Sequence, residues 1–211
     1  IVSRELGIPC IVGTKSRSQE ATVSIKDGQM ITVDASNGIV YDGILEDAVK
    51  ASEAPAAAAQ ATEYIPVTGT KIYMNLGNPD MAEKYGVLPC DGIGLMREEF
   101  IWTTFIHEHP LHLIETGRGD VAVNTLAEGM RKVCEALAPR QVVVRLSDFK
   151  SSEYRDLNGG DKFEPHESSA LLGWRGASRY YDPKYLPAFK LELEAIKKVR
   201  NEFGFKNLQV M

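Results

Sequence analysis

Three arginines stand where their chemistry could converge. Arg97 follows the apolar run Gly92-Ile93-Gly94-Leu95-Met96. Arg145 closes the run Val142-Val143-Val144. Arg175 lies in Gly173-Trp174-Arg175-Gly176-Ala177-Ser178-Arg179-Tyr180, between two glycines. A guanidinium group is planar, always charged and donates hydrogen bonds in pairs, so it suits carboxylate or phosphate oxygens. Three of them together would hold a small, highly anionic ligand. Each also has a local alternative: Arg97 with Glu98 or Glu99, and Arg145 with Asp148. For one arginine a local ion pair is as good an account as a binding role. Three at the ends of successive apolar runs favour a shared site.

Other reactive residues are less telling. Asp148-Phe149-Lys150-Ser151-Ser152-Glu153-Tyr154 brings an acid, a base and hydroxyls directly after the Arg145 run, and Asn158-Gly159-Gly160-Asp161 makes a tight turn. The stretch from 148 to about 185 carries little regular pattern and is expected to be a long functional loop. His107, His109 and His112 surround Pro110. Capping or packing at a helix start is the better reading of them than a metal site. His166 is a lone loop histidine. Cys10 and Cys134 sit in apolar patterns and are expected to pack. Cys90 precedes Asp91-Gly92 and has no identifiable partner for nucleophilic chemistry.

The elements that must position these residues alternate from residue 69 onward. Strands are expected at Lys71–Leu76, Gly92–Met96, Gln141–Leu146 and Leu208–Met211. A short helix is expected from Pro79 to Tyr85, ended by Gly86. An amphipathic helix begins at Asp120, with Val123, Leu126, Met130, Val133 and Leu137 on one face, and stops before Pro139. A second spans about Leu186 to Phe203, its apolar face formed by Phe189, Leu193, Ile196, Val199 and Phe203. Strand–helix alternation means an α/β fold with a parallel sheet. Two layouts compete, a doubly wound open sheet and the first half of a (βα)8 barrel. A whole barrel needs roughly 250 residues, so only about half of one fits here. No GxGxxG or GxxxxGK[ST] motif supports a nucleotide-binding doubly wound fold.

Residues 1–43 read differently, as short β-runs set off by Asp27-Gly28 and Asn37-Gly38 turns. Residues 44–68 contain Ala54-Pro55-Ala56-Ala57-Ala58-Ala59-Gln60-Ala61 and read as an interdomain linker. The expected division is therefore 1–43, a linker at 44–68, and 69–211. The chain opens on a helix-like pattern and closes on a strand-like one, so it is expected to be a piece of something longer. The net charge of −5 lacks the basic balance that nucleic-acid binders need. No apolar run approaches the roughly 20 residues of a membrane span. Three widely spaced cysteines exclude a disulfide framework and point to a reducing, cytoplasmic setting.

The same residues carry a resemblance. Asp91-Gly92-Ile93-Gly94-Leu95-Met96-Arg97-Glu98-Glu99-Phe100 resembles the signature after the second barrel strand of the phosphoenolpyruvate-utilising enzymes. Arg145-Leu146-Ser147-Asp148-Phe149-Lys150-Ser151-Ser152-Glu153-Tyr154-Arg155, Gly159-Gly160, Phe163-Glu164-Pro165 and Gly173–Tyr180 resemble the phosphoenolpyruvate synthases of that family. Ile1-Val2-Ser3-Arg4-Glu5-Leu6-Gly7-Ile8-Pro9 and Val33–Val40 are similar to the end of its swivelling phosphohistidine domain. The sequence departs from the family at Ser168-Ser169-Ala170, where an Asn-Pro pair is usual, and at Ser152, where Asn is common.

The resemblance implies a β-rich remnant of the swivelling domain at 1–43 and the first half of the phosphoenolpyruvate/pyruvate-binding barrel at 69–211. It implies a multidomain cytoplasmic enzyme that converts ATP, pyruvate and water to AMP, phosphoenolpyruvate and phosphate. Arg97, Arg145 and Arg175 would hold the substrate and the phosphoryl group. The phosphohistidine would precede Ile1, and the catalytic cysteine and the magnesium ligands would follow Met211, so this segment alone is expected to be inactive. Its expected partners are pyruvate or phosphoenolpyruvate, the rest of the parent chain and further copies in a homo-oligomer, with no nucleic acid and no membrane. The alternatives are a segment of a pyruvate phosphate dikinase, or a non-catalytic piece serving assembly.

Overall fold

A computed structural model describes residues 3, 8–16, 19–35, 37–45, 68–167, 169 and 173–211. The expected linker falls almost wholly outside them, as does most of the expected N-terminal helix pattern. The chain divides into two compact units, Ile1–Val67 and Thr68–Met211.

The described residues of the first unit form two small hairpins and one short helix. Strands β1 (Lys15–Ser16) and β2 (Gln19–Glu20) pair antiparallel, and the single-turn helix α1 (Ala21–Ser24) follows. Strands β3 (Ile31–Asp34) and β4 (Ile39–Asp42) pair antiparallel, with Asp34 opposite Ile39. The expected Asn-Gly turn joins them. The Asp34 carboxylate accepts from the Asn37 amide at 3.0 Å, and Gly38 takes the positive φ that the turn needs. Among the described residues of this unit none is fully buried. Cys10 is exposed, contrary to its apolar sequence setting.

The second unit is a parallel four-stranded sheet in sequential order: β5 (Tyr73–Leu76), β6 (Gly92–Arg97), β7 (Gln141–Arg145) and β8 (Leu208–Val210). Val142 and Val144 are fully buried and alternate with the half-buried Val143 and Arg145, so one face of β7 meets the core and the other does not. β6 carries one extra residue. Ile93 pairs with Val142 and Met96 with Val144, so three steps along β6 match two along β7. This bulge leaves Ile93 and Met96 both on the core side.

Helix α2 (Ala82–Gly86) continues a 3-10 turn, Pro79–Met81, and α3 (Glu99–Ile101) runs into a π-helical turn, Trp102–Ile106. Helix α4 (Pro110–Glu115) precedes the long helix α5 (Gly119–Leu137). Ala122, Leu126, Met130, Val133 and Leu137 of α5 are buried, close to the expected face. Gly129 lets α3 approach, because a Cβ there would lie 2.6 Å from Ile101 Cδ1. Cys134 is buried on this face, which pushes its thiol up to about 12.

The segment after β7 is more regular than expected. It holds α6 (Ser151–Arg155), a 3-10 turn at Gly160–Lys162 and α7 (Ala177–Tyr180). Helix α8 (Leu186–Asn201) packs on α5. Its buried face is Ala188, Glu192, Ala195, Ile196 and Val199, whereas Leu193 and Phe203 are exposed. The helix is thus turned by about one residue from the expected face, and a carboxylate faces inward. No helix among the described residues is long and apolar enough to cross a membrane.

Candidate functional site

Arg97 and Arg145 are the last residues of β6 and β7, and they are register partners. Neighbouring strands lie about 4.8 Å apart, so the two side chains leave the same end and the same face of the sheet. That face is opposite the one bearing Met96 and Val144. Arg175 approaches along the segment after β7. Gly176 follows it at φ +61 and ψ −146, a conformation that a residue with a Cβ resists.

Two carboxylates organise these cations. Glu99 Oε1 accepts from Arg145 Nη2 at 2.6 Å and from the Asp148 amide at 2.8 Å. Asp148 accepts from Arg175 through both oxygens, Nε to Oδ1 at 3.0 Å and Nη2 to Oδ2 at 2.7 Å. Asp148 Oδ2 also lies 3.9 Å from Arg145 Nη1. The Arg175 guanidinium holds the Asp148 carboxyl below the usual carboxylate range. Arg97 takes part in no ion pair among the described residues, and its guanidinium lies 5.9 Å from the Phe100 ring centre. The local pairing that stood as the alternative for Arg97 is therefore not formed among the described residues, and Glu99 serves the arginine of the next strand instead.

Beneath this cluster Ser147 is held from every side. Glu192 of α8 accepts from Ser147 Oγ at 2.5 Å and from the Ser147 amide at 3.2 Å. Tyr154 Oη shares a hydrogen bond with Ser147 Oγ at 2.7 Å, and Tyr180 Oη donates to the Ser147 carbonyl at 2.7 Å. Tyr185 Oη donates to Tyr154 Oη at 2.6 Å. Glu98 is fully buried beside Arg97. Burial, and then the neighbouring Glu192, raise its carboxyl well above the ordinary value, and burial raises Glu192 as well. Burial thus favours the protonated form of Glu98, whose two oxygens have no hydrogen-bond partner among the described residues.

A second buried network anchors the segment that carries Arg175. The Arg179 guanidinium lies 4.1–4.2 Å from the ring centres of Tyr154, Trp174 and Tyr185. It pairs with Glu164 through both Nη atoms and donates to the Trp174 carbonyl at 3.1 Å. Glu164 in turn accepts from His109 Nε2 at 2.8 Å. His109 Nδ1 accepts from the Leu111 amide at the start of α4, so Nε2 must carry the ring proton. Burial lowers the His109 pKa despite Glu164, which keeps the ring neutral. His109 is thus a helix cap, as its place before Pro110 suggests. Among the described residues no three His, Cys, Asp or Glu side chains are grouped to hold a metal ion.

Glu99, Ser147, Glu192 and the Glu164–Arg179 pair were not singled out from the sequence. Glu98 and Glu99 stood in view as neighbours of Arg97, but periodicity carries no signal that a helix will bury a glutamate 45 residues away from its serine.

The sequence that builds this geometry has relatives. A model of the PEP-utilising enzyme PEP-binding domain matches residues 51–211, and one of the PEP-utilising enzyme mobile domain matches residues 1–38. The chain belongs to the PEP-utilising enzyme family. It is 56% identical, over its whole length, to the probable phosphoenolpyruvate synthase of Staphylothermus marinus, of which it covers 26%. It is 52% identical to the phosphoenolpyruvate synthase of Aeropyrum pernix, again covering 26%, and 39% identical to that of Escherichia coli K12, covering 28%. The chain thus spans about a quarter of the length of these family members. All three align with the whole of this chain, so the likeness extends across the arginine cluster.

Proposed function

We propose that this chain supplies the substrate-holding arginines of an enzyme that converts ATP, pyruvate and water to AMP, phosphoenolpyruvate and phosphate. The observation that carries the reading is the pairing of Arg97 with Arg145 across β6 and β7, with Arg175 joined to them through Asp148. Three guanidinium groups gathered at one strand end suit a phosphate and a carboxylate on one small molecule. Their role would be to neutralise charge spreading over the phosphoryl oxygens during transfer. The sequential parallel order of the four strands, with α5 and α8 packed together, supports residues 69–211 as the first half of a (βα)8 barrel. Active sites of such barrels form at the carboxyl ends of the strands, where these arginines stand. Residues 1–43 would be the end of the mobile phosphohistidine domain, and 44–68 the linker.

The reaction calls for magnesium, which would neutralise phosphate charge when bound. The described residues do not fit it, since no group of three suitable side chains is present among them. The 211-residue segment alone is proposed to be inactive, and the complete protein to be a cytoplasmic homo-oligomer.

The test is phosphoenolpyruvate formation from pyruvate and ATP by the complete protein, with and without Arg145→Ala. The expected result is activity without added phosphate, lost by at least a hundredfold in the variant. Activity that required inorganic phosphate as a substrate would instead favour a pyruvate phosphate dikinase. Full activity in the variant would overturn the binding role.

A further inference from the structure

The function proposed above needs three cations at a defined spacing, and like charges so close repel one another. The structure contains a device that answers this. A single carboxylate oxygen, Glu99 Oε1, receives both the Arg145 guanidinium and the Asp148 amide. Asp148 then grips Arg175 with both of its oxygens. Arg145 and Arg175 are therefore tied to one another through Glu99 and Asp148, even though they arrive from different parts of the chain. Glu99 comes from a third part, the start of α3, and is 93% removed from solvent. Its second oxygen is buried with no hydrogen-bond partner, and so is Arg145 Nε. The site therefore accepts some polar under-satisfaction to keep this arrangement.

We propose that Glu99 is a positioning residue that sets the spacing of Arg145 and Arg175 before any ligand arrives. This inference rests on the functional reading above. Glu99 is more than a counter-charge, because it binds a backbone amide as well as a cation and so fixes the course of the chain from Arg145 to Asp148. Glu99 and Asp148 also neutralise Arg145 and Arg175, which leaves Arg97 as the cation of the cluster without an ion-pair partner among the described residues. A ligand is then selected by how well it fits a preset fork, and less by bulk attraction to positive charge.

That distinction can be measured in the complete protein. Phosphoenolpyruvate, with a phosphate and a carboxylate, must span the fork, whereas inorganic phosphate need satisfy only one arginine. Titration calorimetry with each ligand would be run on the unaltered protein, Glu99→Ala and Glu99→Gln. In Glu99→Ala, phosphoenolpyruvate is expected to bind about tenfold more weakly, while inorganic phosphate binds as well as before or better. Glu99→Gln retains an acceptor for the Asp148 amide and is expected to recover most of the selectivity. A counter-charge alone would tighten both ligands by the same factor in Glu99→Ala, and that result would overturn the proposal. Equal weakening of both ligands with a lowered melting temperature, unrelieved by Gln, would also overturn it.

The failure of the functional reading would look different, since the unaltered protein would then bind neither ligand. Positioning would still be tested by nuclear magnetic resonance of the Arg145 side chain. Rotation about its Nε–Cζ bond is expected to be slow in the unaltered protein and fast in Glu99→Ala. Equal rotation in both would overturn the proposal whatever the ligand.

Discussion

Arg97 stands directly across from Arg145 in the parallel register of β6 and β7, yet among the described residues only Arg145 is held by a carboxylate. The two should therefore respond differently to removal. Arg97→Ala takes away a cation with no ion-pair partner among the described residues, so the melting temperature should change little. Anion binding should still fall, by roughly tenfold or more, the worth of a charge-assisted hydrogen bond. Arg145→Ala strands the Glu99 carboxylate as well. It should weaken binding and also lower stability by about 1–2 kcal/mol, a figure moderated by the partial exposure of Arg145. Parallel denaturation and binding measurements on the two variants would show the split.

Ser147 is the next point of leverage. Its hydroxyl, amide and carbonyl are all engaged, by Glu192, Tyr154 and Tyr180. Glu192→Ala should leave a buried amide and hydroxyl short of partners and open a cavity between α8 and β7. A loss of about 3 kcal/mol is expected, readable as a shift of the urea midpoint. Ser147→Ala should cost less, about 1–2 kcal/mol, because the backbone bonds survive.

The Glu98–Glu192 pair gives stability a particular pH dependence. Both carboxyls are raised in the fold, so folding takes up a proton above the ordinary glutamate value of 4.5. The contribution of the pair is complete below that value and is lost as pH rises through the raised one. Besides Glu192, the groups that bear on Glu98 are Glu99, which raises it further, and Trp102, which lowers it. Glu98→Gln keeps the shape and removes the titration. Its stability should therefore decline less than that of the unaltered protein as pH rises above the ordinary glutamate value. A decline as steep as in the unaltered protein would show that Glu98 is not the group that takes up the proton. Asp148 acts in the opposite sense. Its lowered pKa adds stability above the ordinary aspartate value that is lost as pH falls through the lowered one.

Thiol chemistry offers a simple check on the packing. Cys10 is exposed, Cys90 is partly buried 3.4 Å from Arg140 Nη1, and Cys134 is buried with a raised pKa. An aromatic disulfide reagent at pH 8 should modify Cys10 fastest and Cys90 more slowly. Cys134 should react only on unfolding.

Much of the sheet was legible in the residues. The run Val142-Val143-Val144 reads as a strand because β-branched side chains pack well on a pleated surface. Helix α5 reads as a helix because its apolar residues recur at three and four. The face of α8 differs from the one its apolar pattern predicts for a physical reason. Leu193 looks like a core residue and Glu192 like a surface one, but the hydrogen bonds of Ser147 draw the carboxylate inward and turn the leucine out. The stretch from 148 to 185 looked irregular because its helices are too short to form alone. They are held by tertiary contacts such as the three rings around Arg179. The arginines were visible at strand ends, but their carboxylate partners were visible only as near neighbours in sequence. Space pairs Glu99 with the arginine of the next strand and Asp148 with one 27 residues on.

The bulge in β6 has a consequence that is a matter of odd and even. Side chains of a strand alternate, so an uninterrupted β6 would put Ile93, Leu95 and Arg97 on one side. The extra residue between Ile93 and Met96 changes the parity, and the guanidinium emerges beside Arg145 instead of among the valines and leucines. The position of Arg97 is thus encoded in a count as much as in a residue type. Deleting one residue at Gly94 or Leu95 would remove the bulge, and regular alternation would then keep Ile93 and Met96 inward and Arg97 beside Arg145. Regularising the strand at its full six residues is what would turn the cation toward the core.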